Sequence, residues 1–160
     1  MHTLVLAIGN TLLSDEGVGI HVLEYLRAHH PAPTGVEYLD GGTLSFTLAA
    51  SIEEADNLIV IDAARMGAEP GAVKQFVDEE MDRFLGTSKR SVHEVGLIDL
   101  LTAARLTRRL PAHRGLVGVE PEKLDWGERP TERIARAIPQ AAAMVVGLIT
   151  AWHGPYIKNS

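Results

Sequence analysis

The chain is 160 residues long, a length that suits one domain, and its 46% hydrophobic content is enough for a core enclosed between layers of secondary structure. Fifteen lysines and arginines against 21 aspartates and glutamates give a net charge of −6, which argues against nucleic acid or an anionic membrane surface as partner. Cysteine is absent, so disulfides, thiolate metal sites and cysteine nucleophiles are excluded, and any catalysis must use oxygen and nitrogen groups.

Residues 1–9 are apolar but lack a basic flank and a small-residue cleavage site, so they read as a buried strand rather than a signal peptide. A continuous β-favouring run over 3–8 ends at Gly9 and Asn10. Val18, Val22 and Leu26 then recur at helical spacing, predicting an amphipathic helix closed by His30 and Pro31. Ser14 is the expected cap, with Asp15 and Glu16 in or just before the first turn, where the helix dipole favours negative charge. A second strand over 36–39 runs into Asp40-Gly41-Gly42-Thr43, a helical pattern covers 44–55, and a wholly apolar third strand covers 58–61. Such unbroken apolar runs indicate strands covered on both faces.

The connection from Asp62 to Val73 is too short for a crossover helix, so the strand over 72–77 is expected to run antiparallel to its predecessor. Leu97, Leu101 and Ala104 mark another helix, with Arg105, Arg108 and Arg109 near its end and Pro111 beyond. A fifth strand covers 116–119. The last helix covers 131–152, and Pro139 is expected to kink it or divide it in two. Its apolar part, 141–152, is shorter than a bilayer span, so the expected location is the cytoplasm. The sum is a three-layer α/β/α sandwich around a mixed sheet, one domain over 1–160 with a loose tail over 153–160.

In open α/β sheets, functional residues gather beyond the carboxyl ends of the strands. That filter selects the segment from Gly9 to Glu16, the turn Asp40-Gly41-Gly42-Thr43, and Asp62. On residue type alone, Asp62 is more often a cap or hydrogen-bond acceptor, Glu16 a favourable charge at a helix start, and His93 a cap or surface residue. The zincin pattern His-Glu-x-x-His fails because Leu97 holds the second histidine's place, and no Gly-x-Ser-x-Gly elbow occurs. Gly17-Val18-Gly19 does not complete a dinucleotide fingerprint, since Val22 occupies the third glycine position.

Read together, Gly9-Asn10-Thr11-Leu12-Leu13-Ser14-Asp15-Glu16-Gly17-Val18-Gly19 resembles the opening signature of the hydrogenase maturation endopeptidases. The resemblance continues through Asp40-Gly41-Gly42-Thr43, Asp62, the segment from Ser91 to Leu101, and Val117-Gly118-Val119-Glu120-Pro121. Departures are mild: Ala7 replaces a glycine often found there, and Val92 stands where some members have proline. The resemblance implies a five-stranded mixed sheet in the order 2-1-3-5-4 with strand 4 antiparallel. It also implies an enzyme, grouped with the aspartic-type peptidases, that removes the C-terminal extension of a nickel-iron hydrogenase large-subunit precursor. The family's metal-binding and catalytic positions fall on Glu16, Asp62 and His93. The implied cofactor is nickel, brought by the precursor and already held by its cysteines, with other divalent ions able to substitute.

Two carboxylates and a neutral imidazole carry a charge of −2, which a divalent cation offsets, and imidazole suits nickel and zinc alike. Whether a carboxylate serves as ligand or as general base stays open at this stage. Asp40, Gly41, Gly42 and Thr43 are expected to line the peptide channel, because glycines permit close backbone approach. The size suits a monomer. Two rival readings are a noncatalytic nickel chaperone and a nucleotide-binding α/β domain.

Overall fold

A computed structural model describes residues 1–87 and 94–154, the side chains of residues 94 and 95 excepted. Five strands form one sheet: β1 (Thr3–Ala7), β2 (Val36–Asp40), β3 (Asn57–Ala63), β4 (Val73–Val77) and β5 (His113–Val119). Their order is β2-β1-β3-β5-β4, with β4 antiparallel to β5 and the other pairings parallel, as the resemblance implies. The helices are α1 (Val18–His29), α2 (Ala49–Glu54), α3 (Glu79–Gly86), α4 (Glu94–Leu106) and α5 (Glu132–His153), with short 3-10 turns at Ser14–Gly17 and Phe46–Leu48.

Period-two alternation along the buried strands divides the core in two. Val5, Ala7, Ile59, Ile61, Val117 and Val119 face one way, onto Val22 and Leu26 of α1 and Ala141, Val145 and Ile149 of α5. Leu4, Leu6, Leu58, Val60 and Leu116 face the other way, onto Ile52 of α2, Met81 and Leu85 of α3, and Leu97 and Leu101 of α4. Each fully buried leucine or isoleucine contributes about 1.5–3 kcal/mol, so both helical layers are held chiefly by these contacts.

Local structure departs from the sequence expectations at several points. Ser14 does not cap α1: the helix starts after Gly17 with no side-chain cap, and the Ser14 hydroxyl donates to the Asp125 carbonyl. Asp15 and Glu16 do lie in the turn just before α1, and Asp15 is fully buried there. Pro139 does not divide the last helix, since α5 runs through it; Pro139 and Ala135 are both exposed, so the carbonyl that loses its amide donor faces water. Helix α3 was absent from the sequence reading.

Running through Pro139 also makes α5 a 22-residue helix, long and apolar enough to cross a membrane by length and composition. In this fold its apolar stripe instead lies on the sheet, where Ile134, Ala137, Ala141, Ala142, Val145, Leu148 and Ile149 are buried. Of the expected tail, His153 is the last residue of α5, and residues 155–160 lie outside the described part.

Candidate active site

The parallel register sets the carboxyl rim level. Ala7 pairs with Asp40 on one side and Ile61 on the other, and Asp62 pairs with Gly118. Asp62 is the penultimate residue of β3 and is fully buried at the rim, at the carboxyl end of the strand as expected. A carboxylate in that position does not cap a helix.

Glu16 lies in the 3-10 turn that links β1 to α1, and this turn packs against β3. Two glycines make the approach possible. A Cβ at Gly9 would lie 2.3 Å from the Glu16 carbonyl oxygen, and one at Gly19 would lie 2.4 Å from the Ile8 oxygen and 2.5 Å from the Ile61 oxygen. The start of α1 is thus seated directly on the ends of β1 and β3, one residue from Asp62. Burial lifts the Glu16 carboxyl above the usual glutamate range, because its charged form is partly stripped of water.

The Asp40 turn is sewn to the same rim. The Gly41 amide donates to the Ala7 carbonyl at 2.8 Å, the Gly9 amide to the Gly42 carbonyl at 2.9 Å, and the Gly42 amide to Asp40 Oδ1 at 2.8 Å. Gly42 has φ +52°, which a glycine adopts without strain. An open cavity of about 430 Å³ is lined here by Asn10, Thr11, Glu24, Asp40, Gly42 and Thr43, a polar trough beside the Glu16 turn. Neither Glu16 nor Asp62 lines it.

His93 lies outside the described residues, as does the segment from Ser88 before it; the helix it was expected to precede, α4, begins at Glu94. Among the described residues no three His, Cys, Asp or Glu side chains converge as a metal would require. Glu16 and Asp62 place two carboxyl groups on adjoining elements.

Sequence reasoning missed the residues that brace these positions. Glu120, almost fully buried, accepts the Met66 amide at 3.0 Å and the Ala68 amide at 2.9 Å, fixing the loop that leaves β3 after Asp62. Asp15 braces the Glu16 turn in the same way, through bonds to residues 122, 123 and 131. Sequence separations of 52 to 116 residues hide such partners from any local pattern.

The fold recurs in a solved structure. Hydrogenase maturating endopeptidase HybD from Escherichia coli superposes with a TM-score of 0.89 at 36% identity, over 96% of this chain and 94% of that one. That likeness defines the class, an α/β/α peptidase. Hydrogenase expression/formation protein HupD of Bradyrhizobium diazoefficiens is 39% identical over 150 residues, covering 93% of this chain and 78% of that protein. Hydrogenase 2 maturation protease of Escherichia coli is 42% identical over 127 residues, covering 78% and 76% of the two chains. A hydrogenase maturation protease family model matches residues 20–148, and the chain belongs to that family.

Proposed function

We propose that the protein is a cytoplasmic endopeptidase that removes the C-terminal extension of a nickel-loaded nickel-iron hydrogenase large-subunit precursor, recognising the bound nickel through Glu16, Asp62 and His93. The observation that carries this reading is the seating of Gly19 on the Ile8 and Ile61 carbonyls, which brings the Glu16 turn against the strand that bears Asp62. At this rim one acidic side chain is buried and the other partly desolvated, and a bound cation would favour the charged form of each. The donor set fits a divalent ion of borderline softness once an imidazole joins it.

In this reading nickel is part of the substrate. It arrives on the precursor, and as a Lewis acid it polarises the scissile carbonyl or a water. The chain's own residues do the rest. Glu16 and Asp62 complete the shell from one side, His93 from another, and the precursor's cleavage segment is thereby placed at the rim. The trough lined by Asp40, Gly42 and Thr43 holds the peptide, and Gly41, whose Cβ would meet Leu6 and the Ala7 carbonyl, lets the turn lie close on β1. Grouping with aspartic-type peptidases describes the acidic residues and not a pepsin-like pair, since both carboxylates here act on the ion.

Intact-mass analysis of precursor incubated with the protein tests the reading. Nickel-loaded precursor should lose its C-terminal peptide while nickel-free precursor stays whole. Nickel binding with an uncut precursor would instead indicate a chaperone, and cleavage of both forms alike would remove nickel from the account.

A further inference from the structure

We propose that Asp15 is a positioning residue of the peptidase site, a buried carboxylate clamp that fixes the turn carrying Glu16 to the loop after β5 and to the start of α5. The inference rests on the reading of Glu16 as a nickel ligand.

Asp15 is fully buried. Burying a carboxyl group is costly unless its lone pairs are satisfied, and among the described residues hydrogen-bond donors meet them. Oδ2 accepts the Glu122 amide at 2.9 Å and the Lys123 amide at 2.8 Å, and Oδ1 accepts the Thr131 amide at 2.7 Å. The Thr131 hydroxyl lies 3.0 Å from Oδ2 and 3.1 Å from Oδ1. Thr131 is the N-cap residue of α5, yet it makes no side-chain cap bond, because its hydroxyl is turned to Asp15.

Main-chain bonds run alongside. The Asp15 amide donates to the Lys123 carbonyl at 3.0 Å, the Ser14 amide to Gly127 at 2.8 Å, and the Gly127 amide to Leu12 at 2.9 Å. Behind the turn, the glycine at position 9 leaves room for the Glu16 carbonyl. The backbone of the turn that carries Glu16 is therefore held on both sides. An apolar side chain at position 15 would fill the same space without accepting the Glu122, Lys123 and Thr131 amides. Three amides and a hydroxyl converging on one carboxylate fix it within the tolerance that a ligand set needs.

The test is titration of the full chain with nickel chloride, with folding checked by circular dichroism and stability by thermal melting. In Asp15→Asn the amide nitrogen opposes converging N–H donors, so the clamp loses bonds while its shape is kept. The expected result is one nickel equivalent per chain with affinity weakened about 10-fold or more. Thr131→Val, which deletes the hydroxyl alone, should weaken it less, and Thr131→Ser should restore it. Processing of nickel-loaded precursor should follow the same ranking. A merely structural role gives the opposite pattern, a fall in the folded fraction and in stoichiometry with the dissociation constant unchanged, and that result overturns the proposal. If Asp15→Asn does not fold, the Thr131 pair decides on the same criteria. Glu16→Gln is run in parallel: unchanged affinity there sinks the ligand reading itself, whereas loss at Glu16→Gln with wild-type affinity in Asp15→Asn and Thr131→Val sinks the clamp alone.

Discussion

A methyl group at position 19 has nowhere to go. Both carbonyl oxygens it would strike are backbone atoms at the ends of β1 and β3, so helix α1 must lift from the sheet to admit it. Gly19→Ala is expected to cost about 2–4 kcal/mol in chemical denaturation and to reduce processing more than that loss alone explains, because the Glu16 turn moves with the helix. Wild-type stability in this variant would show that the close seating is not rigid. Glu16 itself carries a different expectation. Its folded carboxyl titrates above its unfolded value, so the folded state holds the proton longer, and stability falls as pH rises through the window between the two. Glu16→Gln should therefore be more stable than wild type at pH 7 in metal-free buffer, with the difference closing once pH drops below the ordinary glutamate value of about 4.3. A destabilised glutamine variant at pH 7 would contradict that sign.

At the scale of elements, α3 is fastened far from the site. Arg114, at the start of β5, donates from Nε to Asp82 Oδ1 at 2.9 Å and from Nη2 to Asp82 Oδ2 at 2.5 Å. The hydrogen bond from Arg114 holds the Asp82 carboxyl below the usual aspartate range, against the opposing effect of burial. A depressed folded value places the stabilisation above the unfolded value of about 3.9, and it is lost as pH falls through the folded one. Asp82→Asn should thus cost about 1–3 kcal/mol at pH 7, a gap that narrows below pH 3 in urea melts, while processing is unaffected by anything beyond stability. Arg105, on α4, also reaches Asp82 at 3.3 Å but is well exposed, so its loss should matter little. In α5 the opposite substitution helps. Pro139 is exposed within a helix interior, and Pro139→Ala restores an amide donor, with an expected gain of about 1–3 kcal/mol by the same melts. No gain would mean that the helix bends at Pro139 for a packing reason.

For the molecule as a whole, what could be read in advance follows from where the determinants lie in the chain. Unbroken apolar runs such as Leu58-Ile59-Val60-Ile61 announce strands covered on both faces, and they are so covered. The short step from Asp62 to Val73 announces the antiparallel strand, and β4 is antiparallel. The order of the strands and the roles of Glu16, Asp62 and His93 came from likeness to a family and not from periodicity. Helix α3 does carry apolar residues at helical spacing, Met81, Phe84 and Leu85, but over eight residues the pattern covers little more than one turn. The hydrogen bonds of Asp15 went unread because its partners lie 107 to 116 residues away. Local pattern finds elements and their faces, whereas the braces of a rim are long-range bonds that only the folded chain displays.

The central claim is that Glu16, Asp62 and His93 act together on the nickel of a precursor. The most direct measurement is the initial rate of C-terminal peptide release from nickel-loaded precursor, followed by intact mass, for wild type and for Glu16→Gln, Asp62→Asn and His93→Gln each in folded form. Wild type should release the peptide and each variant should fall by about 100-fold or more, as loss of a group that acts as one unit demands. Release at the wild-type rate by all three variants would contradict the account.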